Sequence, residues 1–293
     1  MKVFVYGYDV REENLEYIQI LIDELNQAEI TYSIYEEFMS AYTALTGEEL
    51  GGKRIRDHKE LKADNPDVVI TLGGDGTILN ATTIVQDLDI PLLGINLGRM
   101  GFLASTEKSF IKEAIALLKT KKYNTKQRSM LQLESDPKIF DDAPIALNDF
   151  TLHKRDTSSM VTIHTYINGK FLNSYWADGL IVATPTGSTG YSLSCGGPII
   201  LPTANNFVIT PVAPHNLNVR PVVIPDTDEI SLKIEGRSEN FLCTLDSRFE
   251  TVTSEHHLIL RKCKFGINLI KLEGTSFFQT IREKLTWGKD TRN

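Results

Sequence analysis

Short apolar runs alternate with helix-like stripes in the first part of the chain. Runs of strand length occupy residues 3–6, 31–35, 67–72 and 91–95, and helical spacing marks residues 13–28, 77–88 and 107–118. Buried strands that alternate with helices predict a parallel sheet with helices on both faces, and ligands bind such sheets at the carboxyl ends of the strands. Residues 36–61 and 119–128 lack a clean period, so we expect a connection or irregular helix in the first and a solvated basic connection in the second.

From residue 130 onward the pattern changes to strands separated by turns. Alternating or apolar runs lie at 130–133, 145–152, 160–167, 180–183, 207–210, 229–234, 241–245 and 257–260. Turn signals between these runs, such as Asn168-Gly169, predict antiparallel pairing. Residues 276–285 return to helical spacing, and we expect them to pack on the first domain. The sequence therefore predicts a Rossmann-like α/β domain of residues 1–103 plus 272–293, and an antiparallel, sandwich-like β domain of residues 104–271.

Composition narrows the class of protein. The 293 residues suit two domains, and a net charge of −7 argues against general affinity for nucleic acid or anionic lipid. The three cysteines are far apart, and no histidine, cysteine or carboxylate set has metal-ligand spacing, so we expect neither disulfides nor a metal site built from protein ligands alone. No apolar run reaches the length of a membrane span, and no signal-peptide pattern opens the chain. We expect a cytoplasmic protein without a nucleic-acid or membrane partner.

A glycine-rich turn between a predicted strand and helix is the first candidate site. Gly73, Gly74 and Gly76 surround Asp75, and Thr77 opens the helical pattern. A helix that starts there directs unpaired N–H groups at the turn, which suits phosphate. The alternative is a packing turn in which Asp75 bonds its own backbone. A carboxylate beside phosphates is unfavourable unless it handles a proton or a metal ion, and this favours a catalytic turn.

A run of hydroxyl side chains within residues 184–194 is the second candidate site. It follows a predicted strand and includes Ser188, Thr189, Ser192 and Ser194. Small hydroxyls and open N–H groups suit riboses, a base and phosphates, although Ser, Thr and Gly are also common in ordinary turns. Tyr191 adds a flat face that suits either stacking on a base or core packing.

Four motifs in this order resemble those of NAD kinases. The motifs are Gly73-Gly74-Asp75-Gly76-Thr77, Asn148-Asp149, Asp178-Gly179 followed by residues 184–192 (TPTGSTGYS), and residues 210–215 (TPVAPH). The resemblance spans about residues 68–248, although diacylglycerol, sphingosine and 6-phosphofructo kinases share the first motif. It implies an N-terminal α/β domain, a C-terminal β domain, a homodimer or homotetramer, and phosphorylation of the 2′-hydroxyl of the adenosine ribose of NAD by ATP with Mg²⁺ or another divalent cation.

Carried over position by position, the resemblance assigns roles to individual residues. It makes Asp75 the proton acceptor, and it places Gly76 against the dinucleotide, with Asn148 and Asp149 on its ribose and amide groups. On the adenosine side it places Asp178, Thr189, Tyr191 and Ser194, with Asp178 reaching across a subunit interface. The remaining candidate contacts are Gly73, Gly74, Thr77, Ser188, Gly190, Ser192 and Arg248.

Three positions depart from the family pattern, and two other functions compete with the kinase. This chain has Asp149 where most members have glutamate, Gly190 where alanine is usual, and Asp246-Ser247-Arg248 where Asp-Gly-Gln is common. Of these departures, only Arg248 affects a contact that the family pattern implies. A lipid kinase would share the glycine turn but lack the long hydroxyl motif. A non-catalytic dinucleotide sensor would have no use for Asp75. Incubation with NAD, ATP and Mg²⁺ separates these functions, since only the kinase yields NADP.

Overall fold

The computed structural model describes residues 1–98, 101–155, 160–236, 238–272 and 276–286, and it divides into two compact units. The first unit comprises residues 1–127 and 267–293, and the second comprises residues 128–266. The boundary predicted after residue 103 lies earlier than this division. The reason is that the strands Asn124–Arg128 and Ile267–Lys271, expected in or next to the β domain, join the first sheet instead. Parts of the predicted 272–293 segment, residues 273–275 and 287–293, lie outside the described residues.

The regular elements are numbered in chain order. The strands are Lys2–Gly7 (β1), Thr31–Tyr35 (β2), Lys53–Ile55 (β3), Val68–Leu72 (β4), Leu92–Asn96 (β5), Thr106–Glu107 (β6), Asn124–Arg128 (β7), Leu131–Asp136 (β8), Ile145–Ala146 (β9), Asp149–Lys154 (β10), Val161–Ile167 (β11), Lys170–Ala177 (β12), Gly179–Ala183 (β13), Asn206–Val212 (β14), Val222–Pro225 (β15), Ile230–Glu235 (β16), Phe241–Leu245 (β17), Arg248–Val252 (β18), His257–Lys262 (β19) and Ile267–Lys271 (β20). The α-helices are Leu15–Gln27 (α1), Glu36–Thr46 (α2), His58–Asp64 (α3), Asp75–Val85 (α4), Ile111–Lys119 (α5), Tyr191–Ser194 (α6) and Phe277–Lys284 (α7), and short 3₁₀ helices are Glu12–Asn14, Lys108–Phe110 and Gly187–Thr189.

The first unit is built on one sheet with the strand order β3-β2-β1-β4-β5-β20-β7, and β6 pairs with β5. The pairs β1–β2, β1–β4, β4–β5 and β5–β20 are parallel, as the alternating pattern predicts. In α4 the predicted stripe of Ile78, Thr82 and Val85 is buried. The tail helix α7 is also confirmed, and the ring of Phe277 lies 6.1 Å from that of Phe102 in the same unit.

Two stretches of the first unit that were expected to be irregular or connecting contain regular elements. Residues 36–61 contain α2, β3 and the start of α3. The sequence pattern did not predict α2 because this helix buries a short cluster, Phe38, Met39 and Tyr42, instead of a long stripe. The helix ends at Gly47, which adopts the left-handed conformation. The basic run 119–128 contains β7, an edge strand whose side chains are exposed from Asn124 to Gln127, so no alternation marks it.

The second unit contains two six-stranded antiparallel sheets with the orders β15-β14-β13-β10-β17-β18 and β12-β11-β16-β19-β8-β9. Buried side chains of both sheets, such as Phe150 and Phe207 of the first and Ile163 and Leu232 of the second, form one hydrophobic core. The predicted sandwich-like domain is therefore confirmed. The predicted strand 145–152 is instead two strands, β9 and β10, which belong to different sheets.

Two expectations from composition can be compared with the structure. In the described ranges, no helix combines the length and apolar character needed to span a bilayer. None of the three cysteines, all of which are described, forms a disulfide, and Cys243 and Cys263 are buried.

Candidate active site

The glycine turn lies at the carboxyl end of β4, in the middle of the first sheet. Gly73 adopts φ +151°, and a Cβ there would stand 2.1 Å from Thr77 Oγ1, so this position requires glycine. Its N–H donates to the carbonyl of Ile95 on β5 at 3.0 Å. Helix α4 begins at Asp75, two residues before the predicted start, and Gly74 precedes it as N-cap. The N-terminal N–H groups of an 11-residue helix therefore face the turn.

A cleft of about 380 Å³ opens at this turn within the first unit. Gly73, Gly74, Gly76 and Thr77 all line it, as the sequence predicts for a phosphate site. A Cβ at Gly74 or Gly76 would meet nothing within 4 Å, so a ligand can approach the backbone closely. The lining contributes hydrogen-bond donors from the helix start at a place where the helix dipole is positive.

The cleft also contains a cation that the sequence pattern did not reveal. Arg11, in the connection after β1, lines it, and its Nε lies 2.6 Å from Asp9 Oδ2. Both side chains are largely exposed. Strand β1 neighbours β4 in the sheet, so residues after both strands meet at the same sheet edge. That topology is the signal from which Arg11 could have been found.

The Asp75 carboxylate contacts the backbone of residues 102–104. Its Oδ2 accepts a hydrogen bond from the N–H of Phe102 at 2.8 Å, and its Oδ1 accepts from Leu103 at 3.0 Å and Ala104 at 2.9 Å. A Cβ at Gly101 would lie 1.8 Å from Asp75 Oδ1, so that position has no room for a side chain. The carboxylate is half-buried and held in one orientation by three successive backbone donors. It does not bond its own turn, which was the alternative interpretation.

In the second unit, the chain crosses from one sheet to the other at residues 147–148. Strand β9 ends at Ala146 in one sheet and β10 begins at Asp149 in the other, so Leu147 and Asn148 have no ladder partners. The Thr184 side chain donates to the carbonyl of Leu147 at 2.6 Å, and the N–H of Thr184 donates to the carbonyl of Asn148 at 2.8 Å. A Cβ at Gly187 would stand 2.1 Å from the Asn148 oxygen. The second and third motifs are thus packed together although the chain separates them.

Asp149 is a buried carboxyl with a perturbed proton affinity. Burial and the nearby carboxylate of Asp246 raise its pKa to about 7, and a hydrogen bond from Thr151 Oγ1 at 3.2 Å opposes the shift. Burial also raises the pKa of Asp246, against backbone hydrogen bonds and the charge of Arg248. Near neutral pH, Asp149 therefore holds a proton for part of the time. A carboxyl group with this property can donate as well as accept a hydrogen bond.

The predicted hydroxyl residues separate into interior and accessible ones. Ser188 and Ser192 are fully buried. Ser188 Oγ donates to Pro185 O at 2.7 Å and accepts from Ile200 N at 2.9 Å, and Ser192 Oγ bonds Thr210 Oγ1 at 2.8 Å. Buried and already paired, these two hydroxyls hold the turn in shape and cannot reach a ligand, which corrects their predicted contact role.

Other predicted contacts remain accessible. Thr189 and Gly190 are half-buried, whereas Tyr191 and Ser194 are exposed. The Tyr191 ring stacks on His153, with ring centres 5.6 Å apart, so one face of the tyrosine is occupied within the chain. Asp178 pairs with Lys154 Nζ at 2.5 Å. Sequence reasoning missed His153 and Lys154, which follow Asp149 on the same strand.

Arg248 was predicted to contact the cofactor, but its guanidinium is engaged within the protein. Nη1 donates to Ala143 O at 2.6 Å and Nη2 to Ile145 O at 2.5 Å. The group also lies over the Phe140 ring, 5.6 Å from its centre. These contacts favour a role in shaping the segment that leads to Asn148.

The described residues also bear on metal binding. Within the described ranges, no group of three or more His, Cys, Asp or Glu side chains is arranged to hold a metal ion. The cleft at the glycine turn does have two carboxylates in its lining, Asp9 and Glu13. Mg²⁺ in kinases is held by one or two carboxylates together with substrate phosphates, so this donor set fits an ion that binds with a nucleotide.

A parallel-sheet domain with a glycine-aspartate turn, joined to a β domain with a hydroxyl-rich turn, defines a two-domain kinase. Models of the ATP-NAD kinase N-terminal domain and the ATP-NAD kinase C-terminal domain match residues 10–123 and 147–272. The NAD kinases of Cytophaga hutchinsonii and Flavobacterium psychrophilum are 46% and 47% identical, over 99% and 100% of this chain and of each relative. The chain belongs to the ATP-NAD kinase family.

Solved structures agree on the fold. Yeast NADH kinase complexed with NADH superposes with a TM-score of 0.87 at 23% identity, covering 100% of this chain and 89% of the other. An NAD kinase from Archaeoglobus fulgidus in complex with ATP gives a TM-score of 0.76 at 23% identity, covering 98% and 99%. These likenesses confirm the predicted combination of an α/β and a β domain.

Proposed function

We propose that the chain uses ATP to phosphorylate the 2′-hydroxyl of the adenosine ribose of NAD, giving NADP. The observation that carries the proposal is the cleft at residues 73–77, in a chain that is similar over its whole length to curated NAD kinases. Phosphoryl transfer depends mainly on alignment and charge neutralisation. The cleft offers both, because the N-terminus of α4 and Arg11 contribute positive charge beside open glycine backbone.

Asp75 is proposed as the acceptor of the hydroxyl proton. A carboxylate has about four lone-pair positions, and the N–H groups of Phe102, Leu103 and Ala104 occupy three, so roughly one is left for the ribose hydroxyl. In kinases the base accepts the proton late, so an ordinary aspartate is sufficient. The three backbone donors fix the direction of that remaining position.

A divalent cation, Mg²⁺ by preference, is proposed to bind together with ATP. Asp9 and Glu13 are the carboxylates that would hold it in the cleft. When bound, it neutralises negative charge on the phosphates. For Asp9 this requires release of Arg11, whose guanidinium is then free to contact a phosphate oxygen.

The second unit is proposed to bind the dinucleotide. Asn148 and Asp149 are assigned to its ribose and amide groups, and a partly protonated Asp149 suits an amide, which presents both a donor and an acceptor. Thr189, Tyr191 and Ser194 are assigned to the adenosine side because they are accessible. Gly190 lies next to Asn148 and Asp149, since a Cβ there would stand 3.9 Å from both Asn148 Nδ2 and Asp149 Oδ2.

Asp75→Asn tests the catalytic assignment. Asparagine keeps Oδ1 as the acceptor for Leu103 and Ala104 and loses only the bond to Phe102, so the fold and NAD binding should persist. Turnover of NAD to NADP should fall by at least ~100-fold, the low end of what a positioned base contributes. Steady-state kinetics and calorimetric binding of NAD measure the two effects.

Asp57→Asn is the matched control for this test. Asp57 caps α3 in the same unit and accepts the N–H of Glu60 at 2.9 Å, but it does not line the cleft. It should keep wild-type turnover. If Asp75→Asn retains turnover within a few-fold of wild type, Asp75 is not the proton acceptor. If wild-type protein binds NAD but forms no NADP, the chain is a sensor.

A homodimer or homotetramer stays a prediction, as does a cytoplasmic location. Asp178 was expected to reach a ligand across a subunit interface, and within its own chain it pairs with Lys154. Sedimentation of the active protein tests the assembly, and a fully active monomer would contradict it. Cell fractionation tests the location.

A further inference from the structure

The turn between β17 and β18 forms hydrogen bonds with the segment that contains Asn148 and Asp149. Asp246 adopts φ +53°, an uncommon conformation for a residue other than glycine. In this conformation its carboxylate accepts the N–H groups of Leu147 at 2.9 Å, Asn148 at 2.7 Å and Asp149 at 3.1 Å. Leu147 and Asn148 lie where the chain passes between the sheets and have no ladder partners, so the carboxylate satisfies N–H groups that would otherwise be costly to bury.

Arg248 contacts the residues that precede this segment along the chain. Its guanidinium donates to the carbonyls of Ala143 and Ile145 and rests on the Phe140 ring, while its backbone pairs with Leu245. One short turn thus presents a negative group to backbone N–H groups and a positive group to backbone carbonyls of residues 143–149. Hydrogen bonds to charged groups are stronger than neutral ones, so this arrangement restricts the segment tightly.

We propose that Asp246 and Arg248 are positioning residues of the dinucleotide site, which fix the orientation of Asn148 and Asp149 toward NAD. This inference rests on the function proposed above. It replaces the predicted ligand contact of Arg248 with an action through the backbone. It also explains how this chain uses an arginine where the family resemblance gives glutamine: the longer side chain reaches two carbonyls and an aromatic ring.

The charge of the turn also acts on Asp149. The groups that face Asp149 are the Asp246 carboxylate from the turn, Thr151 on its own strand, Tyr191 from α6 and Cys195 directly after α6. Burial is the larger cause of the raised pKa of Asp149, and the negative charge of Asp246 is the second. A substitution that removes the charge of Asp246 but keeps its shape should therefore lower the pKa of Asp149. A purely structural role would produce no such change.

Two variants test the proposal. Arg248→Met removes the donors and the charge at similar length, and it should raise KM for NAD by about 10- to 100-fold, the range for loss of a hydrogen bond to a charged group, with KM for ATP unchanged. Asp246→Asn keeps an acceptor oxygen, and it should shift the pH dependence of NAD binding to lower pH. Kinetics and calorimetric titration with NAD across pH provide both readouts.

Arg220→Met is the matched control, because Arg220 Nη1 also donates to two backbone carbonyls, of Leu217 and Val219, away from residues 143–149. It should leave both Michaelis constants unchanged. The proposal is overturned if Arg248→Met binds NAD as wild type does, or if the pH dependence of Asp246→Asn matches wild type. Should Arg248→Met fail to fold, Asp246→Asn decides. Wild-type protein that binds NAD without forming NADP refutes the proposed function alone, since the calorimetric readout still stands.

Discussion

Replacing Asp149 by asparagine should remove part of the dependence of the free energy of unfolding on pH. The Asp149 carboxyl is buried, and its pKa is raised from 3.8 to about 7 because of burial and the neighbouring Asp246. Asparagine has nearly the same shape, stays neutral at every pH, and keeps an oxygen for the hydrogen bond from Thr151. The substitution therefore removes the cost of a buried charge while it preserves the packing.

The magnitude follows from linkage between proton binding and folding. Between about pH 4 and about pH 7, the native state holds a proton on Asp149 that the unfolded state has lost, so wild-type stability falls as pH rises. The slope is about 1.4 kcal/mol per pH unit, and a shift of about three units gives at most about 4 kcal/mol. The expected figure is smaller, because the neighbouring Asp246 carboxylate contributes to the shift and the two groups titrate as a pair. We expect Asp149→Asn to gain about 1–3 kcal/mol on wild type across this window.

Urea unfolding across that pH range, followed by circular dichroism, measures the difference. Asp64→Asn is a control of opposite sign: burial opposes ionisation of Asp64, but hydrogen bonds from Lys2 and Lys53 help to hold its pKa below the usual value. That variant should lose stability relative to wild type as pH rises through the acid range. A stability difference for Asp149→Asn that does not change with pH would show that Asp149 ionises normally, and the electrostatic reasoning about Asp246 would fail with it.

Two further predictions concern the first unit. Arg11→Gln should raise KM for ATP by about tenfold, because it removes one charge-assisted contact. Arg56→Gln is the control, since Arg56 is equally exposed and ion-paired but does not line the cleft. Steady-state kinetics with varied ATP compares the two variants, and equal KM values would show that Arg11 does not bind ATP. Gly101→Ala should lower both turnover and the thermal midpoint of unfolding, because the added Cβ would stand 1.8 Å from Asp75 Oδ1 and displace the carboxylate from its backbone donors. Unchanged turnover would show that catalysis does not need this orientation of Asp75.

The fold was predictable wherever one element buries a long regular face. Strand β2 agrees residue for residue with its predicted bounds, and the buried stripe of α4 is confirmed. Elements without such a face were missed. Strand β7 lies at a sheet edge and exposes four of its five side chains, while α2 buries only a compact cluster. Hydrophobic periodicity reports burial, so elements that bury little leave little trace in it.

The site was predictable from residue type but not from geometry. The glycines around Asp75 do line a cleft, as their number and position suggest. Composition could not show that the hydroxyls of Ser188 and Ser192 form hydrogen bonds within the protein. A serine in a sequence gives no sign of whether its hydroxyl bonds a ligand or another group of the same chain. Nor could it show that Arg248 reaches back by more than a hundred residues to the carbonyls of Ala143 and Ile145.

In each unit, one aspartate carboxylate accepts three successive backbone N–H groups. Asp75 accepts the N–H groups of residues 102–104, and Asp246 accepts those of residues 147–149. Both stretches include residues between regular strands, where backbone donors lack ladder partners and need another acceptor. A carboxylate serves three donors at once and holds the segment rigidly, which suits residues that must meet a substrate in a fixed orientation. The two carboxylates differ in their surroundings: Asp246 lies beside the charge of Arg248 in the β17–β18 turn, whereas Asp75 begins α4 between two glycines that line the cleft.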